Sequence, residues 1–246
     1  MPATSTLGEI AHLARAMKAP RIRDSAAALA DRARAEGWTH EQYLARVLEE
    51  EVLARETSGS RQRVKAARLP AIKTLDDFDF SYQRSMRKQV VLHLAQLDFL
   101  LEAKNVIFLG PPGTGKTHLS IALAVQAARR GHRIAFATAH QWVQRLDAAQ
   151  RAGWLDAELD RLRRIPLLVC DEVGYIPFEP EAAALFYALI ANRYERASLI
   201  VSSNKPFSAW TEIFGDGAIV KTCGSRSFRR LAPCFPRRGV RRVCRC

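Results

Sequence analysis

Gly110-Pro111-Pro112-Gly113-Thr114-Gly115-Lys116-Thr117 fits the pattern G-x-x-x-x-G-K-[ST]. Glycines at these positions let backbone N–H groups close around phosphate oxygens. A helix opening at the lysine adds the partial positive charge of its N-terminus. In such a loop Lys116 reaches the β- and γ-phosphates of a nucleotide such as ATP, and the Thr117 hydroxyl ligates Mg²⁺. His118 closes the block of expected nucleotide-binding residues, although its own ring reads as packed or solvent-facing. A second element is Leu167-Leu-Val-Cys-Asp171-Glu172. An apolar strand there delivers two adjacent acids to its C-terminal end, the edge at which open α/β sheets bind ligands. Asp171 is expected in the Mg²⁺ shell, and Glu172 as the group that orients or deprotonates an attacking water. Asn204 is the third catalytic candidate. It closes an apolar strand, and its amide could sense a γ-phosphate or hold the water. Arg193 and Arg196 are weaker candidates for facing a neighbouring subunit. His132 and His140 have no metal-ligand spacing, and Cys170, in an apolar run, reads as an inert core thiol.

These residues need elements to position them. From about residue 104 the chain alternates strand and helix. Apolar runs at 105–109, 134–138, 165–170 and 199–203 read as strands. Residues 116–130, a polar pair over 139–163, and 180–194 read as helices. Such alternation predicts an α/β fold, a parallel sheet flanked by helices. The preceding segment reads as helical. Asp24 is expected to cap a helix that Gly37 stops. Thr39 and Gln42 form a capping box, with Trp38 and Tyr43 at the positions of a hydrophobic staple. Leu44, Val47, Leu48 and Val52 form the expected apolar stripe, and Thr57-Ser-Gly-Ser60 reads as a helix end or hinge. The organisation predicted is a helical segment over 1–70, a P-loop ATPase domain over 71–216, and an atypical tail over 217–246.

The 246 residues carry a formal net charge of +13. That charge is unevenly spread: residues 1–70 are net +3, residues 71–216 net +1, and residues 217–246 net +9 with no acid at all. A general argument from basicity to nucleic acid therefore rests on the tail. Four of the five cysteines also lie there, at Cys223, Cys234, Cys244 and Cys246. A nucleic-acid arm or a cysteine metal site are the functional readings, but one residue between Cys244 and Cys246 and no second pair make a poor zinc site. The Arg/Pro/Cys/Gly mixture is also what a shifted reading frame in a GC-rich gene yields. Arg61, Arg63, Lys65, Arg68 and Lys73 form a second basic run, a candidate DNA contact or a solvated linker. Hydrophobic residues at 48% and charged residues at 26% exclude a chain disordered throughout, a collagen and a disulfide miniprotein. No apolar run approaches the roughly 20 residues of a membrane helix. Glu9, His12, Arg15 and Lys18 interrupt any signal-peptide core. A cytoplasmic location is the expectation.

Taken together, three blocks resemble the IstB-like ATP-binding proteins, helper ATPases of bacterial insertion sequences. They are the loop block over 105–119, Cys170-Asp-Glu-Val-Gly-Tyr-Ile-Pro177, and the stretch 192–215 with Arg193-Tyr-Glu-Arg196, Ser202-Ser-Asn204-Lys-Pro-Phe207 and Trp210. The lead-in Lys73-Thr-Leu-Asp-Asp-Phe-Asp-Phe80 fits as well, and the resemblance runs over roughly residues 5–219. The family is similar to the DnaC helicase loader and the DnaA initiator, so the resemblance implies an AAA+ fold. It also implies ATP-dependent homo-oligomers on double-stranded DNA and a transposase partner. Lys116 and Thr117 map to nucleotide and magnesium binding, Asp171 and Glu172 to the second acidic motif, and Asn204 to the first sensor. After Asp216 the family's pattern of a helix with an Asp-Arg-Leu element and a last strand beside the P-loop strand is lost. An unpaired edge at the P-loop strand is the expected consequence. A DnaC-like helicase loader, an ATP-binding relic without turnover, and a small-molecule P-loop kinase are the rival readings. An acid pair at 171–172 and the lack of a lid insertion speak against the kinase.

Overall fold

The computed structural model describes residues 6–83, 86–175 and 178–210. The chain divides into two compact units, 1–62 and a second beginning at Arg63. The first holds α1 (Thr6–Ala16), α2 (Pro20–Glu36) and most of α3 (His40–Ala66). Pro20 opens α2 at a position where a missing N–H costs nothing, so the helix starts four residues before Asp24. Asp24 is instead paired with Arg23 at 2.7 Å. Gly37 ends the helix in the left-handed conformation, as expected. The capping box also forms: Thr39 N–H donates to Gln42 Oε1 at 2.8 Å and Gln42 N–H to Thr39 Oγ1 at 3.3 Å. No hinge forms at 57–60. Thr57 turns its hydroxyl onto Leu53 O at 2.8 Å, and α3 runs through to Ala66. Of the stripe expected on α3, Val47 is buried, while Leu44, Leu48 and Val52 stay about half exposed.

The second unit carries the sheet. Ahead of it lie α4 (Lys88–Leu94) and α5 (Asp98–Leu101). Then follow β1 (Val106–Leu109), α6 (Lys116–Arg129), β2 (Ile134–Thr138), α7 (Ala139–Arg151) and α8 (Leu155–Arg163). After these come β3 (Leu167–Val173), α9 (Pro180–Arg193), β4 (Ser198–Ser203) and a 3₁₀ turn at Phe207–Ala209. All strands pair in parallel in the order β1-β4-β3-β2. Among the described residues β1 pairs with β4 alone; the last strand and the tail considered above lie outside those residues.

Both faces of the sheet are covered, so the strands read as continuous apolar runs. Side chains alternate between two cores. Val106, Phe108, Leu167, Val169 and Ile200 pack with Leu119, Leu123 and Ala127 of α6. Ile107, Leu109, Leu168, Cys170, Leu199 and Val201 pack with Trp142 and Leu146 of α7, Leu162 of α8 and Phe186 of α9. Buried polar groups pin the strands. Asn105 Oδ1 accepts from Leu199 N–H at 2.8 Å, and Trp142 Nε1 donates to Val169 O at 2.9 Å. The expected β3 start at 165 is two residues early. Ile165 and Pro166 instead offer their carbonyls to Arg193, at 2.8 and 3.4 Å.

Candidate functional site

The loop between β1 and α6 turns through two left-handed glycines, Gly113 at φ 77° and Gly115 at φ 84°. Gly115 is also a point of close approach. A Cβ placed there would stand 2.5 Å from Phe78 Cε2, so only glycine fits beneath that ring. Phe78 belongs to the lead-in segment, which Asp77 ties down by accepting from Thr74 N–H and Oγ1 at 3.0 and 2.7 Å. His118 completes the packing: Nε2 shares a 2.8 Å hydrogen bond with Thr74 O, and the ring stands edge-on to Phe78 with centroids 5.2 Å apart. Its role in this structure is to hold the lead-in. Gly110 N–H donates to Ser203 O at 3.1 Å, and Thr114 Oγ1 to Pro111 O at 2.9 Å.

A cavity of about 300 Å³ opens over the loop, lined by Gly113, Gly115, Lys116, Thr117, Glu172, Tyr175 and Ser202. Lys116 Nζ donates to Pro111 O at 2.8 Å. Burial holds its ammonium below the ordinary lysine range, the Asp171 carboxylate pulling the other way. Thr117 Oγ1 donates to Asp171 Oδ1 at 3.1 Å, a bond that joins the loop to β3. Asp171 is buried and Glu172 is exposed. Tyr175 follows one turn later, and burial, with the two acids beside it, raises its phenol above the ordinary range. Asn204 follows β4, which lies between β1 and β3. Its Oδ1 is buried without a hydrogen-bond partner, but Asn204 is not part of the cavity wall; Ser202, two residues earlier, is. The sequence reading missed Ser202. A hydroxyl, hydroxyl, amide cluster ending an apolar strand was the available signal.

Two further expectations resolve differently. Arg193 is fully buried within its own fold. Its guanidinium donates to the carbonyls of Leu162 at 2.5 Å and of Ile165 and Ser198 at 2.8 Å, so it cannot reach a neighbouring subunit. Burial lowers its pKa to about 10. Arg196 is exposed. Cys170 is fully buried, and desolvation pushes its thiol up to about 12, consistent with an inert core position. Among the described residues no cluster of His, Cys, Asp and Glu has the makings of a separate metal site. No helix there is long and apolar enough to cross a membrane.

Comparison with known proteins gives the same picture of the fold. The family of IstB-like ATP binding proteins matches over residues 12–226. An insertion sequence IS21 ATP-binding protein of Pseudomonas aeruginosa is 44% identical over 72% of this chain and 67% of its own length. The corresponding IS5376 protein of Geobacillus stearothermophilus is 36% identical over 81% and 80%. Among solved structures, AMPPCP-bound DnaA from Aquifex aeolicus superposes with a TM-score of 0.58 at 19% identity. That match covers 68% of this chain and about half (51%) of the DnaA chain. A solved DnaC helicase loader chain superposes at 0.51 and 20% identity, covering 71% of this chain and 99% of that one. At these identities the likeness is one of fold: a P-loop domain of the AAA+ type.

Proposed function

This chain belongs to the IstB-like ATP-binding proteins, and we propose that it is an ATP-hydrolysing helper of an insertion-sequence transposase, assembling as an oligomer on duplex DNA. The observation that carries the reading is the Thr117–Asp171 hydrogen bond, which joins the phosphate-binding loop to the acidic strand end beside one cavity. The residues fit a magnesium–triphosphate group. A hydroxyl and a carboxylate, both hard oxygen donors, meet at that bond. The Lys116 ammonium and the glycine backbone stand beside them.

Bound ATP would supply a γ-phosphoryl group for transfer to water, with Mg²⁺ spreading the charge on its oxygens. This chain's residues then have separate tasks. Gly110, Pro111, Pro112, Gly113, Thr114 and Gly115 shape the phosphate cradle. Lys116, now resting on Pro111 O, is the cation for the outer phosphates. Thr117 and Asp171 hold the metal. Glu172 is the base that takes the proton of the attacking water. Asn204, just after β4, has a buried, unpartnered carbonyl oxygen outside the cavity wall, so holding that water requires its amide to turn toward the cavity when ATP binds. Relatives at 44% and 36% identity named for insertion sequences favour a transposase over a replicative helicase as the partner, since the DnaC likeness is at 20% identity.

The test is ATP turnover by the purified chain with and without duplex DNA, beside Lys116→Ala. DNA-stimulated turnover that the substitution abolishes is the expected result. Nucleotide binding with no turnover in either condition would reduce the chain to an ATP-binding relic.

A further inference from the structure

Alternation along β3 breaks at the acids. Leu168 and Cys170 face the α7/α9 core, and Leu167 and Val169 the α6 core. Regular alternation would send Val173 to the α6 side. It packs instead in the α7/α9 core. The ladder gives the reason: Cys170 pairs with Val201 and Val173 with Ser203, so Asp171 and Glu172 together oppose the single residue Ser202. This is a β-bulge, rare between parallel strands. Glu172 takes up the extra residue at φ 61°, a left-handed conformation that a side-chain-bearing residue adopts only under strain. At the bulge Glu172 borders the phosphate cavity and also a smaller cleft lined by Thr138, Ala139 and His140 at the start of α7.

Something must hold a strained backbone at a functional strand end. Ser202 is buried, and its hydroxyl touches both opposing residues. It accepts from Glu172 N–H at 3.1 Å and donates to Asp171 Oδ1 in a short bond. Asp171 Oδ1 thus takes two hydroxyl donors, Thr117 and Ser202, which fixes that carboxylate from the loop side and from β4. We propose that Ser202 is a positioning residue: its hydroxyl clamps the β3 bulge and thereby aims Glu172 into the phosphate cavity. Its effect on turnover runs through Glu172, since its hydroxyl, although in the cavity wall, is already committed to Glu172 N–H and Asp171 Oδ1. The inference rests on the hydrolysis reading above.

The experiment measures turnover and nucleotide affinity for the wild type, Ser202→Ala, Ser202→Cys, Glu172→Gln, and Ser202→Ala in the Glu172→Gln background. Misaiming a base by about 1 Å costs on the order of 10²-fold in rate. Turnover in Ser202→Ala is therefore expected to fall by roughly 10–100-fold, with Kd for ATP held within about threefold. Cysteine fills the same space but is a weak hydrogen-bond partner, so Ser202→Cys should fall with alanine. In the Glu172→Gln background the serine substitution should add less than about twofold, because the group it aims is already disabled. A Ser202→Cys variant with wild-type turnover would show that volume and not hydrogen bonding matters, and overturns the proposal. Equal losses of affinity and rate would make Ser202 a ligand contact and overturn it likewise. A wild-type chain without turnover overturns the functional reading itself, and the inference falls with it. That outcome is read from the wild type alone, so the two failures are distinct.

Discussion

Arg193 shows what one buried cation can do without an acid. Its guanidinium satisfies carbonyls at the end of α8, in the α8–β3 connection and at the start of β4. A shorter or apolar side chain leaves those carbonyls buried and unpaired, at about 1–3 kcal/mol each. Arg193→Met is expected to destabilise by about 3 kcal/mol or more, lowering the melting temperature by roughly 6–12 °C for a chain of this size. The exposed Arg196→Ala should stay within about 0.5 kcal/mol. Thermal denaturation of both variants checks the contrast. Lys116 carries a pH signature. Burial lowers its pKa in the free protein, and phosphate oxygens favour its charged form, so the bound pKa is higher. Its contribution to affinity is full below the free-protein pKa and is lost as pH rises through the bound one. ATP affinity should therefore weaken on the alkaline side, in a window opening below the ordinary lysine value of about 10.4. Binding there should take up as much as about one proton. Calorimetry in two buffers of different ionisation heat measures that uptake, and Lys116→Met should lack it.

At the scale of elements, the lead-in and the phosphate-binding loop are one packed unit. Phe78 lies where a Gly115 Cβ would be, and His118 braces both. Gly115→Ala is expected to cost about 2 kcal/mol or more, from the left-handed backbone and from overpacking. Phe78→Leu removes the obstructing ring edge, so it should cost less in the Gly115→Ala background than in the wild type. The difference should exceed about 0.5 kcal/mol in a urea-denaturation double-mutant cycle; additive losses would refute the contact. β1, β3 and β4 were legible from the sequence because they are buried on both faces and appear as apolar runs, and the partly buried edge strand β2 because four of its five residues are apolar. Lys116 and Thr117 were legible because a fixed spacing on a strand–turn–helix places them, and Asp171 and Glu172 because an apolar run ending in acids sets them at the same sheet edge. The β3 bulge was not, since alternation fails there through a backbone dihedral that residue types do not encode. Arg193 misled because a cation at a helix end looks solvent-facing until the carbonyls around it are known. Asp24 and Thr57-Ser-Gly-Ser60 misled because local capping and hinge signals lost to Pro20 and to the continuity of α3.

At the scale of the whole molecule, the proposed association with DNA would draw on uncommitted charge. The stretch 71–216 is net +1, so its overall charge gives little attraction for a duplex. The basic run is different. Arg63 is partly buried and donates to Ala128 O at 2.7 Å, so it is already engaged in the fold. Arg61, Lys65, Arg68 and Lys73 are exposed. Cations that neutralise phosphates release counterions, and each contact contributes about 0.9 to the slope of log K against log salt. If Lys65, Arg68 and Lys73 each meet a phosphate, replacing the three with alanine should flatten that slope by about 2.7. Affinity at low salt should drop evenly across unrelated duplex sequences, since phosphates carry no sequence information. Fluorescence anisotropy on two unrelated duplexes between about 50 and 200 mM salt measures both effects. ATP turnover without DNA should be unchanged, because none of the three lines the phosphate cavity. An unchanged slope in the triple variant would remove the run from the DNA contact, and the electrostatic attraction would then have to come from other parts of the chain.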